Sequence, residues 1–146
     1  MKPADSSDSS GALAPERVTL AAGESITVPI EAANPNRATG IHFEAGGVYR
    51  LDAAGKWYDA GRETDPAGYK DGNVLQNLVW WLRRSPQANW FALLGTAEPG
   101  QAPFPIGVHA VYQARARGEL ICFANDVPGF YWNNSGVVRL TVTRTK

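Results

Sequence analysis

The chain has a single cysteine, Cys122, so it has no second cysteine with which to form an intrachain disulfide. Histidine is almost as scarce, because only His42 and His109 occur, each at an alternating position of a strand-like segment. A zinc site needs clustered cysteine and histidine ligands, and a serine or cysteine hydrolase needs a histidine together with a nucleophile motif such as G-x-S-x-G. Neither pattern is present. We therefore expect a protein that is not an enzyme, although the carboxylates of Asp59, Glu63, Asp65 and Asp126 leave a glycosidase-like pair open.

Net charge and long apolar runs are also lacking. Lysine plus arginine number 14, as do aspartate plus glutamate, so no overall field attracts the protein to nucleic acid or to an anionic membrane. No stretch approaches the roughly 20 apolar residues that insertion into a bilayer requires. Residues 1–15 contain no apolar core of a signal peptide, and their Ser, Asp, Gly and Ala content predicts a flexible leader before one domain at 16–146. The sequence does not decide between a cytoplasmic protein and one exported by a non-classical route.

Short alternating segments make up most of the chain. Apolar and polar residues alternate in segments about 10 residues apart, with Gly, Pro, Asn and Asp between them, which is typical of strands joined by turns. The clearest case is residues 137–143, where Val138, Leu140 and Val142 form one face. A turn is predicted at residues 53–55, and a strand buried on both faces at residues 90–94. Seven to nine such strands predict an all-β sandwich.

One segment departs from this pattern. Residues 73–82 have apolar residues at the spacing of a helical face, which favours a short helix over a strand. Adjacent aromatic residues are more often buried than exposed, which favours the core for Trp80 and Trp81, with a place at the edge of a binding cleft as the alternative. The apolar residues with helical spacing are Val74, Leu75, Leu78, Val79 and Leu82.

The richest set of oxygen donors lies at residues 125–136. Asp126 supplies a carboxylate, Asn133 and Asn134 supply amide oxygens, and the Pro128-Gly129 turn can direct backbone carbonyls inward. Ca²⁺ binds roughly six to eight oxygens of these kinds in a flexible shell. A plain turn between two strands uses the same residue types, so the residues alone favour a calcium site and a turn about equally.

This run, Asn-Asp-Val-Pro-Gly followed three residues later by Asn-Asn-Ser-Gly, resembles the signature loop of the LecA-like (PA-IL type) bacterial galactose-binding lectins. Weaker likeness at residues 48–61 and 89–95 extends the resemblance to roughly residues 24–146, with an insertion between about residues 69 and 87. The resemblance implies a jelly-roll β-sandwich of the galactose-binding-domain-like type. It further implies Ca²⁺ as cofactor, galactose-like glycans as partners and a tendency to form homo-oligomers.

The resemblance also implies roles for individual residues. Calcium would be bound by the side chains of Asp126, Asn133 and Asn134, by the backbone carbonyl of Phe130, and by a carbonyl near Tyr58 or Asp59. The sugar hydroxyls would contact Asp126, Asn133 and Asn134 again, together with Val127 and Phe130.

Two departures from the family concern the sugar. Phe130 occupies a threonine position, and Thr64 or Asp65 stands where the family has a histidine, with no equivalent of a glutamine that follows it there. We therefore expect a calcium-dependent lectin for galactose or a related sugar. The alternative is a non-catalytic β-sandwich module, accessory or for protein interaction, that keeps the fold but does not bind sugar. Such a module could retain the calcium site or lack it.

Overall fold

Two antiparallel β-sheets pack face to face in the computed structural model, which describes residues 16–146. The leader predicted at residues 1–15 lies outside the described part. The strands are β1 (Ser25–Glu31), β2 (Arg37–Phe43), β3 (Val48–Asp59), β4 (Arg62–Thr64), β5 (Leu93–Thr96), β6 (Phe104–Pro105), β7 (His109–Gln113), β8 (Gly118–Ala124) and β9 (Asn134–Arg144). One α-helix, α1 (Val74–Leu78), and two 3₁₀ turns, Trp80–Leu82 and Tyr131–Asn133, complete the described elements.

The larger sheet has the order β1-β9-β3-β4, with β7 also pairing with β3, and the smaller has the order β2-β8-β5-β6. Every pairing between these strands is antiparallel. This arrangement confirms the predicted all-β sandwich.

The core fills the space between the sheets. In β9 the alternation predicted from the sequence holds, since Val138, Leu140 and Val142 are fully buried while Arg139 points to solvent. Burial of alternate residues follows from the two-residue period of a strand, which sends successive side chains to opposite faces. The largest fully buried side chains of the core are Trp57, Trp90, Tyr49, Phe43, Phe91 and Phe123.

Strand β3 corrects the turn predicted at residues 53–55. It is continuous for 12 residues, and from Tyr49 to Asp59 each residue is paired with one of β9. Gly55 has φ +110°, a conformation that glycine adopts without a Cβ penalty, so the strand continues through it. The long ladder with β9 therefore outweighs the local preference for a turn.

The apolar segment at residues 90–94 is buried as predicted, but its strand begins only at Leu93. Phe91 has φ +62°, in the left-handed region that bulky residues rarely adopt, and Trp90 makes an isolated bridge to Tyr69 instead of joining a ladder. The burial of residues 90–94 was correctly predicted because it depends on the apolar composition of the segment. The strand boundary depends on a tertiary contact with Tyr69 that the local sequence does not reveal.

The helix predicted within residues 73–82, called the α1 segment below, is present, but its environment differs from the prediction. None of the residues of α1 or of the following 3₁₀ turn is buried, and Trp80 and Trp81 are 48% and 59% exposed. The two tryptophans are therefore not core residues. The apolar spacing correctly predicted a helix, although the side chains concerned face a cavity or solvent.

A capping box anchors the start of α1. The Asn73 side chain accepts from the Gln76 backbone N–H at 2.8 Å, and the Gln76 side chain accepts from the Asn73 backbone N–H at 2.8 Å. Such caps matter most for a helix this short, because isolated helices of few residues are marginal in water.

Replacing Asn73 with alanine will loosen the α1 segment. Loss of an N-cap costs about 1 kcal/mol, and α1 has no buried side chain to offset it. We expect faster amide hydrogen exchange at residues 74–79 with little change in the melting temperature. Asn77→Ala, at an exposed position of the same helix, is the control. Unchanged exchange in Asn73→Ala would show that other contacts hold the segment.

No helix among the described residues is both long and apolar enough to cross a membrane.

Candidate functional site

A cavity of about 270 Å³ lies between the end of β3, the α1 segment and the 125–136 loop. This volume is close to the lower end of the range for small-ligand pockets, roughly 300–1,000 Å³. The α1 segment and the 125–136 loop each contribute both polar and apolar residues to its lining. The lining residues are Asp59, Ala60, Asn73, Leu75, Gln76, Val79, Leu82, Trp90, Asp126, Val127, Phe130 and Asn133.

The pairing of β3 with β9 brings distant polar residues together. Asp59, the last residue of β3, is paired directly with Asn134, the first residue of β9. The Asn134 amide donates to the Asp126 carboxylate, so this pairing also brings Asp59 near enough to Asp126 for the two charges to interact. Directly paired residues of antiparallel strands have Cα atoms roughly 4.5–5.5 Å apart. One ladder therefore assembles the polar side of the cavity from two parts of the sequence.

A tight turn and a buried tyrosine shape the 125–136 loop. The Phe130 N–H donates to the Val127 carbonyl at 3.0 Å, with Gly129 at φ +92°, as a turn with Pro at its second and Gly at its third position requires. Tyr131 is buried, and its hydroxyl donates to the Ala124 carbonyl at 2.5 Å. This bond fixes the loop to the end of β8.

Asp126 is a buried carboxylate, with 6% of its surface exposed. It accepts hydrogen bonds from the Asn134 amide at 3.0 Å and from the Val127 N–H at 2.7 Å. Burial, with a smaller contribution from the nearby negative charge of Asp59, raises its pKa to about 6 despite these bonds. A bound cation would offset both effects, because its positive charge stabilises the ionised forms of the two carboxylates.

Two amide oxygens beside Asp126 lack a partner. Both hydrogens of the Asn134 amide are used, one donated to Asp126 and one to the Ala32 carbonyl at 3.2 Å, which fixes the orientation of the group. Its oxygen is then left buried without a hydrogen bond, as is the oxygen of Asn133. An unsatisfied buried acceptor costs roughly 1–3 kcal/mol, so two in one place require an explanation.

A hydrogen-bonded group holds the Asp59 carboxylate. The Tyr69 hydroxyl donates to Asp59 Oδ2, and the Gln76 side-chain amide donates to the same oxygen at 3.1 Å and to the Tyr69 hydroxyl at 2.6 Å. Burial, and then the bond to Asp59, raise the pKa of Tyr69, so the phenol stays protonated and keeps donating. The Arg62 guanidinium lies over the Tyr69 ring, 3.7 Å from its centre.

Asn125 connects the site to residues 84–92. Its fully buried side chain accepts from the Ser85 N–H at 2.9 Å and donates to the carbonyls of Ser85 and Asn89 at 2.9 and 2.8 Å. Arg84 also binds here, because its backbone N–H donates to the Asp126 carbonyl at 3.1 Å. These bonds position the carboxylate from its main-chain side.

The structure brings together most of the residues predicted to bind calcium or sugar. Asp126, Val127, Phe130 and Asn133 line the cavity, whereas Asn134 is not among its lining residues and contacts Asp126 through its amide. A backbone carbonyl near Tyr58 or Asp59 was also predicted to bind calcium. Of these two residues, Asp59 lines the cavity together with Ala60, whereas Tyr58 does not.

Thr64 and Asp65, predicted to contact sugar, are not among the residues that line the cavity. Thr64 is buried, and its hydroxyl donates to the Asp65 carbonyl at 3.2 Å. The Asp65 carboxylate accepts from the Ala67 N–H at 2.8 Å, which is an Asx turn. Both residues therefore have structural roles, and their assignment as sugar contacts remains a prediction that the geometry does not favour.

Sequence reasoning missed Gln76, Trp90 and Leu75 as lining residues. It found no glutamine to match the family's, yet the α1 segment brings Gln76 to the cavity from a distant point in the sequence. A signal was available, since Asn73 and Gln76 have the spacing of a capping box. The two histidines lie on β2 and β7 and line no part of this cavity, as predicted for strand residues.

The donor set suits a hard cation. Residues 16–146 contain no cluster of three Asp, Glu, His and Cys side chains able to hold a metal. The oxygens gathered here are instead two carboxylates, Asp59 and Asp126, and the unpaired amide oxygens of Asn133 and Asn134. Carboxylate and amide oxygens are ligands that Ca²⁺ accepts and that zinc sites rarely combine.

The fold matches that of a solved lectin domain. The N-terminal domain of EclA, described as a PllA-like lectin, superposes with a TM-score of 0.60 at 22% identity over 81% of this chain and 94% of that one. At this identity the likeness shows the fold, a β-sandwich of the lectin type.

The family follows from the sequence match. The model of the PA-IL-like protein family matches residues 24–146, so the chain belongs to this family of LecA-like lectins and the resemblance seen in the sequence is confirmed. No curated protein matches the chain. Family and fold support carbohydrate binding without catalysis.

Proposed function

We propose that this chain is a calcium-dependent lectin that binds galactose or a closely related sugar in the cavity beside Asp126. The observation that carries the proposal is the pair of unpaired, buried amide oxygens of Asn133 and Asn134 next to the carboxylates of Asp59 and Asp126. The two amide oxygens are costly to bury without a partner, and Asp126 is a buried carboxylate whose pKa is raised by loss of solvation. A divalent cation bound here would supply a partner for both amide oxygens and offset the negative charge of Asp126 and Asp59.

The residues fit calcium in charge as well as in donor type. Two carboxylates can neutralise the ion, and the backbone carbonyls of Phe130 and of Asp59 or Ala60 are further candidate ligands on the same cavity. When bound, calcium supplies coordination positions for vicinal sugar hydroxyls. The chain itself would accept hydrogen bonds from those hydroxyls through Asp126 and Asn133, while Trp90 and Val79 exclude water.

Calorimetric titration with galactose, in calcium and in chelator, tests this proposal. We expect binding in calcium and none in chelator, with an increase in melting temperature on adding calcium because the ion binds only the native state. Glucose and mannose at the same concentrations test the preference for galactose. Absence of binding by all three sugars in calcium, despite calcium stabilisation, would favour the accessory-module alternative.

The accessory or protein-interaction alternative has one observation in its favour. Several large apolar side chains are exposed outside the cavity: Val74, Leu78, Trp81, Val111 and Trp132. A homo-oligomer would also cover such surface, and sedimentation of the purified protein at several concentrations measures it. Both possibilities are compatible with sugar binding, so they are secondary to the lectin function.

Calcium binding will weaken below about pH 6. The folded-state pKa of Asp126, about 6, lies above its ordinary value, so protonation stabilises the calcium-free fold and this contribution is lost as the pH rises from about 4 to 6. Calcium must displace that proton, so its dissociation constant should be about tenfold larger at pH 5 than at pH 7 and nearly equal at pH 7 and 8. A constant affinity from pH 5 to 8 would contradict this prediction, which requires both the raised pKa of Asp126 and its role as a ligand.

A further inference from the structure

A second cavity, of about 460 Å³, is formed by residues 85–92 together with Ala67 and residues 105–109. Its volume lies within the range of small-ligand pockets, roughly 300–1,000 Å³. Among residues 16–146, it shares no lining residue with the cavity beside Asp126. Consecutive residues line different cavities, Asn89 the second and Trp90 the first, so the two cavities are separate spaces.

One wall of the second cavity is held in place by Asn125, which is fully buried. Its side-chain amide donates to the carbonyls of Ser85 and Asn89 at 2.9 and 2.8 Å. Its backbone N–H donates to the Ala92 carbonyl at 2.9 Å. All three acceptors belong to residues that line the second cavity. A ligand therefore does not have to order this wall, and such ordering is one of the costs of binding.

The polar side chains of the second cavity are a hydroxyl, two amides and an imidazole, from Ser85, Gln87, Asn89 and His109. Within residues 16–146, no carboxylate, lysine or arginine is part of its lining. A metal ion would find no carboxylate there, and a phosphate would find no lysine or arginine. Hydroxyl and amide groups both donate and accept hydrogen bonds, which suits the hydroxyls of an uncharged ligand.

Asp52 orients the imidazole of His109. The Nδ1 atom of His109 lies 2.6 Å from Asp52 Oδ1, and the Arg50 guanidinium donates to the other carboxylate oxygen at 3.1 Å. The hydrogen bond with His109 lowers the pKa of Asp52, so the carboxylate stays ionised and accepts the Nδ1 proton. In the neutral ring, Nε2 is then the acceptor that a ligand hydroxyl can contact.

The apolar part of the lining is small. Ala92 and Ile106 are buried, and Ala67 and Ala88 contribute only methyl groups. Polar and apolar lining residues are similar in number, so the cavity has no continuous apolar surface for an alkyl chain. This mixture fits a pyranose ring, which has hydrogens on its carbons and hydroxyls around it.

We propose that the second cavity is a second carbohydrate site, which binds one neutral hexose unit without calcium. Gln87 and Asn89 bind hydroxyls from the 85–92 segment, and His109 binds them from β7. The inference goes beyond the proposed function, because this site contains none of the proposed calcium ligands and does not depend on the ion.

NMR titration of the isotope-labelled chain in chelator tests the inference, with the methyl glycosides of glucose, mannose and galactose as probes. Chelator keeps calcium out of the first cavity. We expect at least one probe to bind with a dissociation constant of about 1 mM, a modest affinity for a ligand of this size. The amide signals of Gln87, Asn89 and Gly107 should shift, and those of Val127 and Phe130 should not. Binding this weak contributes little heat at sugar concentrations that saturate a tighter site.

Matched variants locate the binding. Gln87→Ala and His109→Ala change exposed side chains on two different parts of the lining, so both variants should fold. Each should weaken binding about fivefold, the typical effect of losing one hydrogen bond. Gln113→Ala is the control, since Gln113 is exposed on β7 and outside the second cavity.

The outcomes separate this inference from the proposed function. If none of the three glycosides shifts Gln87, Asn89 or Gly107, the inference is wrong and the calcium-dependent site keeps its own test. Binding that needs calcium and shifts only Val127 and Phe130 would support the proposed function and overturn the inference. Equal affinities of the wild type, Gln87→Ala and His109→Ala would place the sugar elsewhere, which also contradicts the inference.

Discussion

Replacing Asp126 with asparagine will weaken calcium binding at least about a hundredfold, yet will not destabilise the calcium-free protein. Loss of groups that only orient a metal ligand typically costs 10–100-fold in affinity, so loss of a charged ligand should reach or exceed the upper value. Without calcium the carboxylate is a buried charge whose two hydrogen bonds do not offset its loss of solvation, as its raised pKa indicates. Removing that charge removes its desolvation cost at pH 7.

The prediction therefore has opposite signs in the two states. Thermal unfolding should show a calcium-dependent rise in melting temperature for the wild type and none for the variant, while in chelator the variant should melt at the same temperature or higher. Asp71→Asn is the control, because Asp71 is exposed and outside the cavity. If calcium stabilises Asp126→Asn as much as the wild type, the ion is bound elsewhere or not at all.

Replacing Gly68 with alanine will destabilise the fold by about 3 kcal/mol or more. A Cβ at this position would lie 2.2 Å from the Trp90 carbonyl oxygen and 2.5 Å from the Ala92 nitrogen, both backbone atoms that cannot turn away. Overpacking of this kind typically costs roughly 1–3 kcal/mol, and the left-handed φ of +74° adds roughly 1–2 kcal/mol for a residue with a side chain.

A matched glycine separates the two contributions. Gly100 has φ +72°, and a Cβ added there would have no atom within 4 Å, so Gly100→Ala should cost only the conformational part. Chemical denaturation of both variants measures the difference. Because Gly68 precedes Tyr69, which donates to Asp59, we also expect Gly68→Ala to weaken calcium binding. Equal losses of stability in the two variants would show that the chain relaxes around Gly68 at little cost.

Much of the fold and the polar half of the site could be predicted from the sequence. Alternation in β9 is visible because each inward residue is apolar, and Asp126, Asn133 and Asn134 are visible because they are close together in one loop. Their roles as calcium ligands remain predictions. The wrong turn at residues 53–55 has a different origin, since the partner that keeps β3 extended lies about 80 residues further along the chain.

The rest of the site could not be predicted for a similar reason. The apolar spacing of the α1 segment indicated a helix and implied a buried face, because a helix normally packs its apolar side against a core. Here Leu75 and Val79 face a cavity instead, and only the tertiary position of the segment reveals it. Gln76 was overlooked because its neighbours in space, Asp59 and Tyr69, are 17 and 7 residues away in sequence.

The central position of β9 has a consequence for the order of folding during synthesis. Among the strands of residues 16–146, β1 pairs only with β9. β3 pairs with β9 along 11 residues, although β9 begins more than 70 residues after β3 ends. While the ribosome is still translating residues before 134, Ile30 and the other apolar residues of β1 have no strand to pair with. Nascent chains of this protein should therefore depend on chaperones until β9 emerges, and Asp59 meets Asn134 only at that last step.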